Sequence, residues 1–382
     1  MAQALPRFPV IHLLHTADWQ IGRQYGQFDT DDAALLAEAR FDAVARIAAL
    51  AAQRGVDAVL VAGDVFDTQA VSDRSIRRLF GALATYAGPW VMIAGNHDAA
   101  LADSVWSRAH QLGCIGPNVH IPLRPGAVEV AGANLAVLAA PLTQRHTYDD
   151  TTAIFDTLQT SPGRLRVGLA HGSIAGRLPD AVDSANPIAA DRAARARLDY
   201  LALGDWHGCL QIDARTWYAG TPEPDRFRAN ASGSVLDVRL PGAGAEPLVE
   251  AVPVGRYRWT QWIEPLELAS DAEALAHRLD GVGADEVLRL ELSGQISLDA
   301  WQALQDAAAR AAARARALLL DTDRLSLAPD EHDLSTLGGS GYVGEVAAQL
   351  QALQHDPGQA GVARHALRLL VQFQRERAAG QT

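Results

Sequence analysis

The segment "HTADWQIG" (residues 15–22) follows directly on the apolar run "VIHLLH" (10–15) near the N-terminus. Such a run predicts a buried strand, and the strand ends in a polar pair, Asp18 and Gln20, separated by one residue. An Asp-x-His pair at this place would supply two metal ligands from one strand end. Gln20 occupies the second position, so the sequence raises the question of whether an amide can serve there.

The first 210 residues alternate short apolar runs with helical patterns. Buried strands are predicted at 10–15, 56–63, 89–95, 135–140, 165–171 and 200–204. Helices are predicted at 32–53, 72–86 and 148–160. This alternation favours an α/β architecture with helices covering a central sheet. Between about 210 and 255 the chain becomes strand-rich and rich in glycine and proline, as if it completed a second sheet.

The remainder of the chain has a different pattern. A strand at 286–294, a helix at 298–316 and a strand at 315–327 predict a small α+β appendage. The segment "STLGGSGY" (335–342) predicts a flexible linker, and residues 343–378 predict two amphipathic helices. We therefore expect three regions: a catalytic domain at 1–255, a capping domain at 256–334, and a linker with a helical tail at 335–382.

Composition restricts the class of protein. Hydrophobic residues make up 48% of the 382 residues and charged residues 20%, which is typical of an ordinary globular chain. A net charge of −12 argues against binding nucleic acid through bulk electrostatics, although a local arginine-lined groove and bound cations can reverse the field at a site. Cys114 and Cys209 form no metal-type spacing, and no apolar run approaches a membrane span. The sequence predicts a soluble cytoplasmic protein without a membrane segment.

Five polar motifs follow the predicted strands. They are "DWQ" (18–20), "GDVFD" (63–67), "GNHD" (95–98), "AHG" (170–172) and "GDWHG" (204–208). Each motif should lie at the carboxyl end of a strand, which is the edge where sites assemble in open α/β sheets. Asp, Asn, Gln and His also ligate divalent cations. The "GNHD" motif is the most specific, and the conjunction of all five predicts a metal site.

These motifs resemble those of the calcineurin-like binuclear metallophosphoesterases, and within them the SbcD-type DNA-repair nuclease branch. "LHTADWQIGRQY" (14–25) is similar to the opening of that branch, and "YAGTPEPDRF" (218–227) resembles its segment after the last metal motif. The motifs cover residues 11–228. The resemblance implies a four-layer α/β/β/α sandwich, and residues 256–327 are compatible with the capping domain of the branch.

The resemblance also implies a binuclear site in which the Asp64 carboxylate bridges two metals. The side chains implied for the first metal are Asp18, Gln20 and His207. Those implied for the second metal are Asn96, His171 and Asp205. His97 would lie beside the scissile phosphate.

Two of these positions depart from the family pattern, which usually has histidine at Gln20 and at Asp205. Both residues can still coordinate through oxygen, which favours Mn²⁺ or Mg²⁺ over Zn²⁺. The same variation resembles a subset of bacterial nucleases, called MPE, that are encoded near an Lhr-type helicase and a DNA ligase.

Several side chains have more than one open interpretation. His97, with Asp64 the implied catalytic residue, is either a general acid, a donor to the phosphate together with Asn96, or a residue that orients a ligand; Asp98 is better explained as such an orienting residue. Arg23, Arg226 and Arg228 flank the motifs and either contact phosphates or are solvated. Trp19 and Trp206 either stack on bases or pack in the core, and packing is favoured.

From the resemblance we expect a nuclease that uses two Mn²⁺ ions, with Mg²⁺ or Co²⁺ possible, to hydrolyse single-stranded or unpaired DNA in repair. Endonuclease and exonuclease action both stay open. The alternatives are a phosphodiesterase or phosphatase for small molecules or proteins, and a scaffold without metal. The expected partners are DNA and a repair helicase, a ligase or a coiled-coil ATPase. The tail could dock such an ATPase, form a homodimer or pack on the body.

Overall fold

A computed structural model describes residues 10–177, 186–327 and 341–379. Contacts divide the chain into two compact units. The N-terminal unit comprises Met1–Asp225 and Ala229–Arg256, and the C-terminal unit comprises Arg226–Arg228 and Tyr257–Thr382.

Two six-stranded sheets form the centre of the N-terminal unit. The first has the order β14-β13-β1-β2-β3-β4. Its strands are β1 (Ile11–Thr16), β2 (Ala58–Val61), β3 (Trp90–Met92), β4 (Val119–His120), β13 (Ser234–Leu240) and β14 (Leu248–Pro253). Strands β1 to β4 are parallel, whereas β13 is antiparallel to both of its neighbours.

The second sheet has the order β11-β12-β10-β7-β6-β5. Its strands are β5 (Gly126–Glu129), β6 (Leu135–Ala140), β7 (Leu165–His171), β10 (Tyr200–Gly204), β11 (Leu210–Gln211) and β12 (Thr216–Tyr218). The four inner strands are parallel, and the two edge strands are antiparallel to them. A short pair, β8 (Ser173–Ile174) and β9 (Pro187–Ile188), follows β7.

The two sheets pack face to face. Residues of the first sheet, such as Leu13 and Leu60, share a buried cluster with Leu169 and Ala202 of the second. Because the central strands are buried on both faces, their sequences are continuous apolar runs and do not alternate with polar residues.

Helices cover the two outer faces of this sandwich. They are α1 (Thr30–Arg54), α2 (Asp73–Leu83), α3 (Val105–Gln111), a 3₁₀ helix (Thr151–Asp156) and α4 (Arg192–Arg195). Ile47, Leu79 and Trp106 of α1 to α3 pack on the first sheet, while Phe155 and Ala193 pack on the second. The four-layer α/β/β/α sandwich expected from the resemblance is therefore confirmed.

Two local predictions differ from the structure. The helix expected at 148–160 is only a 3₁₀ helix, because Thr152 and Phe155 alone are buried and no apolar stripe supports a longer helix. Helix α3 is absent from the predicted elements; a capping box formed by Ser104 and Ser107 fixes its start.

The C-terminal unit is built on a parallel sheet in the order β15-β16-β17. Its elements are β15 (Arg258–Leu266), α5 (Ala269–Leu279), β16 (Glu286–Ile296), α6 (Leu298–Arg314), β17 (Ala317–Leu327), α7 (Tyr342–Leu353) and α8 (Ala360–Ala379). Ala347 and Leu367 of the last two helices belong to its buried cluster. The helical tail therefore packs on this unit, whereas most of the linker expected at 335–342 lies outside the described residues.

Among the helices of the described residues, none combines the length and the apolar character that a transmembrane segment needs.

The two sheets approach each other closely at Gly204, the last residue of β10. A Cβ at Gly204 would collide with the carbonyl oxygen of Ala62 and would lie 2.9 Å from the Cβ of Ala17, both of which follow strands of the first sheet. We expect Gly204→Ala to lower the free energy of unfolding by about 1–3 kcal/mol, measured by denaturant titration. Gly242→Ala is the control, since nothing lies within 4 Å of its Cβ position. Equal stability of both variants would contradict this close approach.

Candidate metal centre

Residues from separate strands meet at the carboxyl edge of the two sheets. Asp18 follows β1, Asp64 follows β2 and His171 ends β7. One ligand atom from each of these three buried residues lies within 4.8 Å of the others. The segments after β1 and β2 also hydrogen-bond directly, from Asp18 N to Gly63 O at 3.1 Å and from Gln20 N to Asp64 O at 2.9 Å. The three residues thus form a candidate cation site.

Backbone strain is concentrated at this edge. Four of the predicted ligands adopt a left-handed backbone conformation: Asp18 (φ 53°), Gln20 (φ 43°), Asp64 (φ 50°) and Asp205 (φ 102°). Only two other non-glycine residues of the described chain have a positive φ. Such conformations are unfavourable for side chains with a Cβ and persist where the surrounding structure enforces them, often at functional sites.

Asp64 lies at the centre of the cluster. Its Oδ1 accepts a hydrogen bond from the backbone N–H of His97 at 2.9 Å and lies 3.5 Å from Nε2 of His171. Its Oδ2 lies 3.5 Å from Nε2 of Gln20. A Cβ at Gly95 would collide with the Asp64 carboxylate, so glycine is required there. This position between the two predicted ligand groups is suited to a bridging carboxylate.

His171 presents one nitrogen to a ring of oxygens. Its Nδ1 donates to the carbonyl oxygen of Ala62 at 2.8 Å, which directs Nε2 into the cluster. There Nε2 lies 3.1 Å from Asn96 Oδ1, 3.5 Å from Asp64 Oδ1 and 3.7 Å from Asp205 Oδ1. This is the donor set predicted for the second metal, and its oxygens and imidazole fit a divalent cation.

The electrostatics of the cluster favour a bound cation. Burial raises the pKa of Asp18 to about 6, and the neighbouring carboxylates add to this effect against the two histidines. Burial alone would lower the pKa of His171, but the carboxylates of Asp64, Asp205 and Asp18 raise it to about 9. Both shifts have the sign expected of an excess of buried negative charge.

Asp98 has a structural role in the same loop. Its Oδ1 accepts from Gly95 N at 2.7 Å and its Oδ2 from Phe66 N at 3.1 Å. Burial raises the pKa of this carboxyl to about 7. Because both oxygens accept from backbone N–H groups, Asp98 shapes the loop on which Asn96 and His97 lie.

The Gln20 side chain, predicted to ligate the first metal through its oxygen, is oriented differently in the structure. Arg23 donates to Gln20 Oε1 at 2.6 Å, and Gln20 Nε2 lies 3.1 Å from His207 Nε2. An arginine can only donate, so the amide oxygen is held towards Arg23. Coordination through that oxygen requires rotation of the amide, which would turn its NH₂ group towards Arg23.

His207 is oriented by Asp225, a residue that the motifs do not predict. His207 Nδ1 and Asp225 Oδ2 are 3.0 Å apart, and Asp225 also lies 3.4 Å from Arg23 and 3.5 Å from the buried Arg40. A carboxylate on the far nitrogen of a histidine fixes its tautomer and raises its basicity as a ligand. Asp225 lies in "YAGTPEPDRF" (218–227), the segment in which the sequence suggested a role only for Arg226.

Asp205 connects the two predicted groups. Its backbone N–H lies 3.2 Å from the Asp18 carboxylate, and its Oδ2 accepts from Ser173 Oγ at 3.2 Å. Ser173 is a further residue that the motifs do not reveal.

His97 lies at the partly exposed side of the cluster. Its Nδ1 donates to Asp67 O at 2.8 Å, so Nε2 is directed away from the backbone and lies 3.9 Å from Asp64 Oδ2. The side chain is 31% exposed, in contrast to the buried Asp64 and His171. A half-exposed imidazole next to a buried cluster can exchange protons with a bound molecule.

The arginines predicted to contact phosphates and the tryptophans considered for base stacking lie in different environments. Arg23 contacts Gln20 and Asp225, as above. Arg226 and Arg228 group with the C-terminal unit. Trp19 is fully buried and donates to Thr16, which makes it a packing residue, and Trp206 is half-buried against the core.

Comparisons with known proteins agree with the geometry. Residues 11–179 match the sequence model of the calcineurin-like phosphoesterase family. A subunit of the nuclease SbcCD from Rhodobacter capsulatus is 38% identical over 97 residues, which are 24% of this chain and 22% of that protein. The DNA double-strand break repair protein Mre11 from Aeropyrum pernix is 30% identical over 263 residues, which are 64% of this chain and 61% of that protein. The chain thus spans less than two thirds of the length of either relative.

Two solved structures are also similar. TT1561 of Thermus thermophilus has a TM-score of 0.42 at 13% identity and covers 64% of this chain and all (100%) of its own. GAP50 of Plasmodium has a TM-score of 0.38 at 10% identity and covers 64% of this chain and 85% of its own. Residues 11–179, which include the Asp18, Asp64 and His171 cluster, thus match a calcineurin-like phosphoesterase domain, and the chain is similar at modest identity to the SbcCD nuclease subunit and to the repair protein Mre11.

Proposed function

We propose that this protein is a manganese-dependent DNA nuclease that hydrolyses phosphodiester bonds in single-stranded or unpaired DNA. The buried cluster of Asp18, Asp64 and His171 carries the proposal, because its excess of negative charge suits a divalent cation. The match of residues 11–179 to a phosphoesterase family supports a phosphoester as the substrate. The relatives named as a nuclease subunit and as a DNA-break repair protein support DNA as the substrate.

Two divalent cations fit the donor set if Asp64 is shared between them. Asp18, Gln20 and His207 would hold the first, and Asn96, His171 and Asp205 the second. When bound, such a pair activates a water molecule at neutral pH and offsets the charge of the phosphate. The oxygens of Gln20 and Asp205 replace two imidazole nitrogens, which favours Mn²⁺ over Zn²⁺.

The charges of the chain then favour an anionic substrate. Asp18, Asp64 and Asp205 contribute three negative charges against four from two divalent cations, so the loaded site keeps a net positive charge. A DNA phosphate is attracted to such a site even though the chain has a net charge of −12.

His97 would act on the bound phosphate. Its Nδ1 is engaged by Asp67 O, and a proton on Nε2 can be donated to the leaving oxygen or to a phosphate oxygen. Asn96 would contact the phosphate from the adjacent position. Arg23, Arg226 and Arg228 are proposed to meet neighbouring phosphates.

The domain organisation and the partners are proposed on the same resemblance. A catalytic domain at 1–255 would be followed by a capping domain at 256–334 that controls access of the DNA strand. A coiled-coil ATPase, helicase or ligase as partner stays a prediction, as does a homodimer.

Metal dependence is the first test of this function. Chelation should abolish cleavage of a labelled single-stranded oligonucleotide, and added Mn²⁺ should restore it. Asp64→Ala should reduce cleavage by several orders of magnitude and lower the number of Mn²⁺ ions per chain found by elemental analysis, because both ligand groups share this carboxylate. Asp73→Ala, which removes an exposed carboxylate (63% exposed), is the control. Full cleavage in excess chelator would rule out the proposed chemistry.

The substrate class is tested in the same assay. If the site acts on DNA, oligonucleotide turnover should exceed turnover of cyclic nucleotides and of phosphomonoesters. The reverse order would favour a small-molecule phosphodiesterase or phosphatase on the same fold. No bound Mn²⁺ and no turnover of any of them would indicate a scaffold.

A second test separates the roles of His97. His97→Ala should retain two Mn²⁺ ions per chain and lose roughly 10²–10⁴-fold in the rate of diester cleavage. A nitrophenyl ester has a good leaving group and should lose less if His97 is the general acid; equal losses indicate phosphate binding. His110→Ala, an exposed histidine on α3, should match the wild type. Loss of bound metal in His97→Ala would show that His97 holds the metal.

The third test concerns the two unusual ligands. Asp205→Ala should raise the Mn²⁺ concentration needed for half-maximal rate more than Gln20→Ala, because it also removes a negative charge. Histidine at both positions should retain activity and shift the preference towards Co²⁺ or Zn²⁺. If both alanine variants match the wild type at limiting Mn²⁺, neither residue is a ligand.

Calorimetric titration of Mn²⁺ adds a readout that does not depend on cleavage. Arg23→Ala frees the Gln20 amide to rotate, so it should bind Mn²⁺ at least as tightly as the wild type if Gln20 ligates through oxygen.

A further inference from the structure

We propose that the N-terminal unit contains a second ligand site, a cavity that binds a small phosphate-bearing molecule of nucleotide size. The cavity has a volume of about 640 Å³. It lies at the amino ends of β7, β10 and β12, and four arginines line it: Arg164, Arg166, Arg197 and Arg215. Nothing in the proposed nuclease function requires this site, and the inference stands independently of it.

The cavity is separate from the metal centre. Arg166 is the second residue of β7 and His171 is the last, so the two ends of this strand are five residues apart. At about 3.3 Å per residue this corresponds to roughly 16 Å. A similar separation applies to β10, where Asp199 precedes the strand and Asp205 follows it. A small molecule in the cavity therefore cannot contact the metal ligands.

The charge of the cavity favours an anion. Two aspartates, Asp199 and Asp213, line it together with the four arginines, and Glu129 pairs with Arg164 at 3.2 Å, so four positive charges face three negative ones. The Arg215 guanidinium donates to the backbone carbonyls of Asp199, Gly244 and Ala245. Carbonyl oxygens satisfy the hydrogen bonds of a guanidinium without neutralising its charge.

Arg166 shows the same pattern. Its guanidinium donates to the carbonyl oxygens of Phe155, Leu158 and Ala196. Burial lowers the pKa of this guanidinium, and the positive charge of Arg197 acts in the same direction against the attraction of Asp199. Positive charge is thus concentrated at this end of the second sheet.

Arg197 is the side chain most available to a ligand. In the described part of the chain no hydrogen bond or ion pair engages its guanidinium, although its neighbour Arg195 pairs with Asp156 and Asp191. Arg197 directly follows the C-cap of α4, with φ 52°. Glycine is usual at this left-handed position, so an arginine occupies it at a cost in backbone strain. Strain of this kind is enriched at ligand sites.

The walls between the arginines indicate the rest of the ligand. They consist of small apolar side chains and backbone: Ala193, Ala194, Leu198, Ala214, Ala243 and Gly244. A cavity of this volume is much larger than one phosphate and is within the range of small-molecule sites. A phosphate on the Arg197 guanidinium, with a flat ring on the alanines, satisfies both features, which is the chemistry of a nucleoside monophosphate.

The experiment uses the full chain and titrates adenosine 5′-monophosphate by calorimetry in excess chelator, so that no cation at the metal centre can bind the phosphate. Arg197→Gly is the decisive variant, because glycine relieves the left-handed strain and the fold should be kept. We expect binding in the wild type, a loss of at least about tenfold in affinity in Arg197→Gly, and a smaller loss in Arg197→Lys. Arg195→Ala removes a nearby charge that does not line the cavity and should bind as the wild type does.

Adenosine and inorganic phosphate are the two partial probes. Weaker binding of both than of the monophosphate supports a nucleotide site. Inorganic phosphate binding as tightly as the monophosphate would overturn the nucleotide class. No binding of the monophosphate at millimolar concentration, or equal binding by the wild type and a folded Arg197→Gly, would overturn the site itself. None of these outcomes depends on cleavage, so they are distinct from a failure of the nuclease proposal.

Discussion

The burial of like-charged carboxylates at one edge of the sandwich is the constraint on which the centre depends. Asp18 and Asp64 are both almost fully buried, and in the described residues no arginine lies within ion-pair distance of either. Buried charges of one sign are costly unless an opposite charge compensates them. His171 supplies part of this charge, as its raised pKa shows, and the geometry leaves the remainder to a cation.

The fold provides the means to bring these groups together. Parallel strands in two facing sheets place the ends of β1, β2, β7 and β10 side by side, and glycines at the crossing points let the backbones approach. At Gly63 a Cβ would collide with the His171 ring, and at Gly204 with the Ala62 carbonyl. The left-handed conformations of Asp18 and Asp64 then turn their side chains inward at the cost of local strain.

Most of the fold, and the meeting of Asp18, Asp64 and His171 at one edge, could be predicted from the sequence. Buried parallel strands read as apolar runs, and polar motifs at their ends converge by geometry alone, which is why five short motifs led to one cluster. The 3₁₀ helix at Thr151–Asp156 resembles an α-helix in sequence because periodicity does not reveal how much of a segment becomes buried. Asp225 escapes prediction because its effect is on the far nitrogen of His207, a contact between residues that no motif joins.

Gln20, which stands where the family usually has histidine, also affects the contacts of neighbouring side chains. The amide accepts from Arg23 through its oxygen and offers its NH₂ group to His207, so it bridges the two residues at once. Arg23 in turn reaches Asp225, which orients His207. Gln20, Arg23, Asp225 and His207 therefore form a closed ring of hydrogen bonds and ion pairs on one side of Asp64. Ligation of a cation by the Gln20 oxygen would require the amide to rotate, whereas oxygens of Asn96, Asp64 and Asp205 already surround Nε2 of His171, so the two sides of Asp64 are physically unequal.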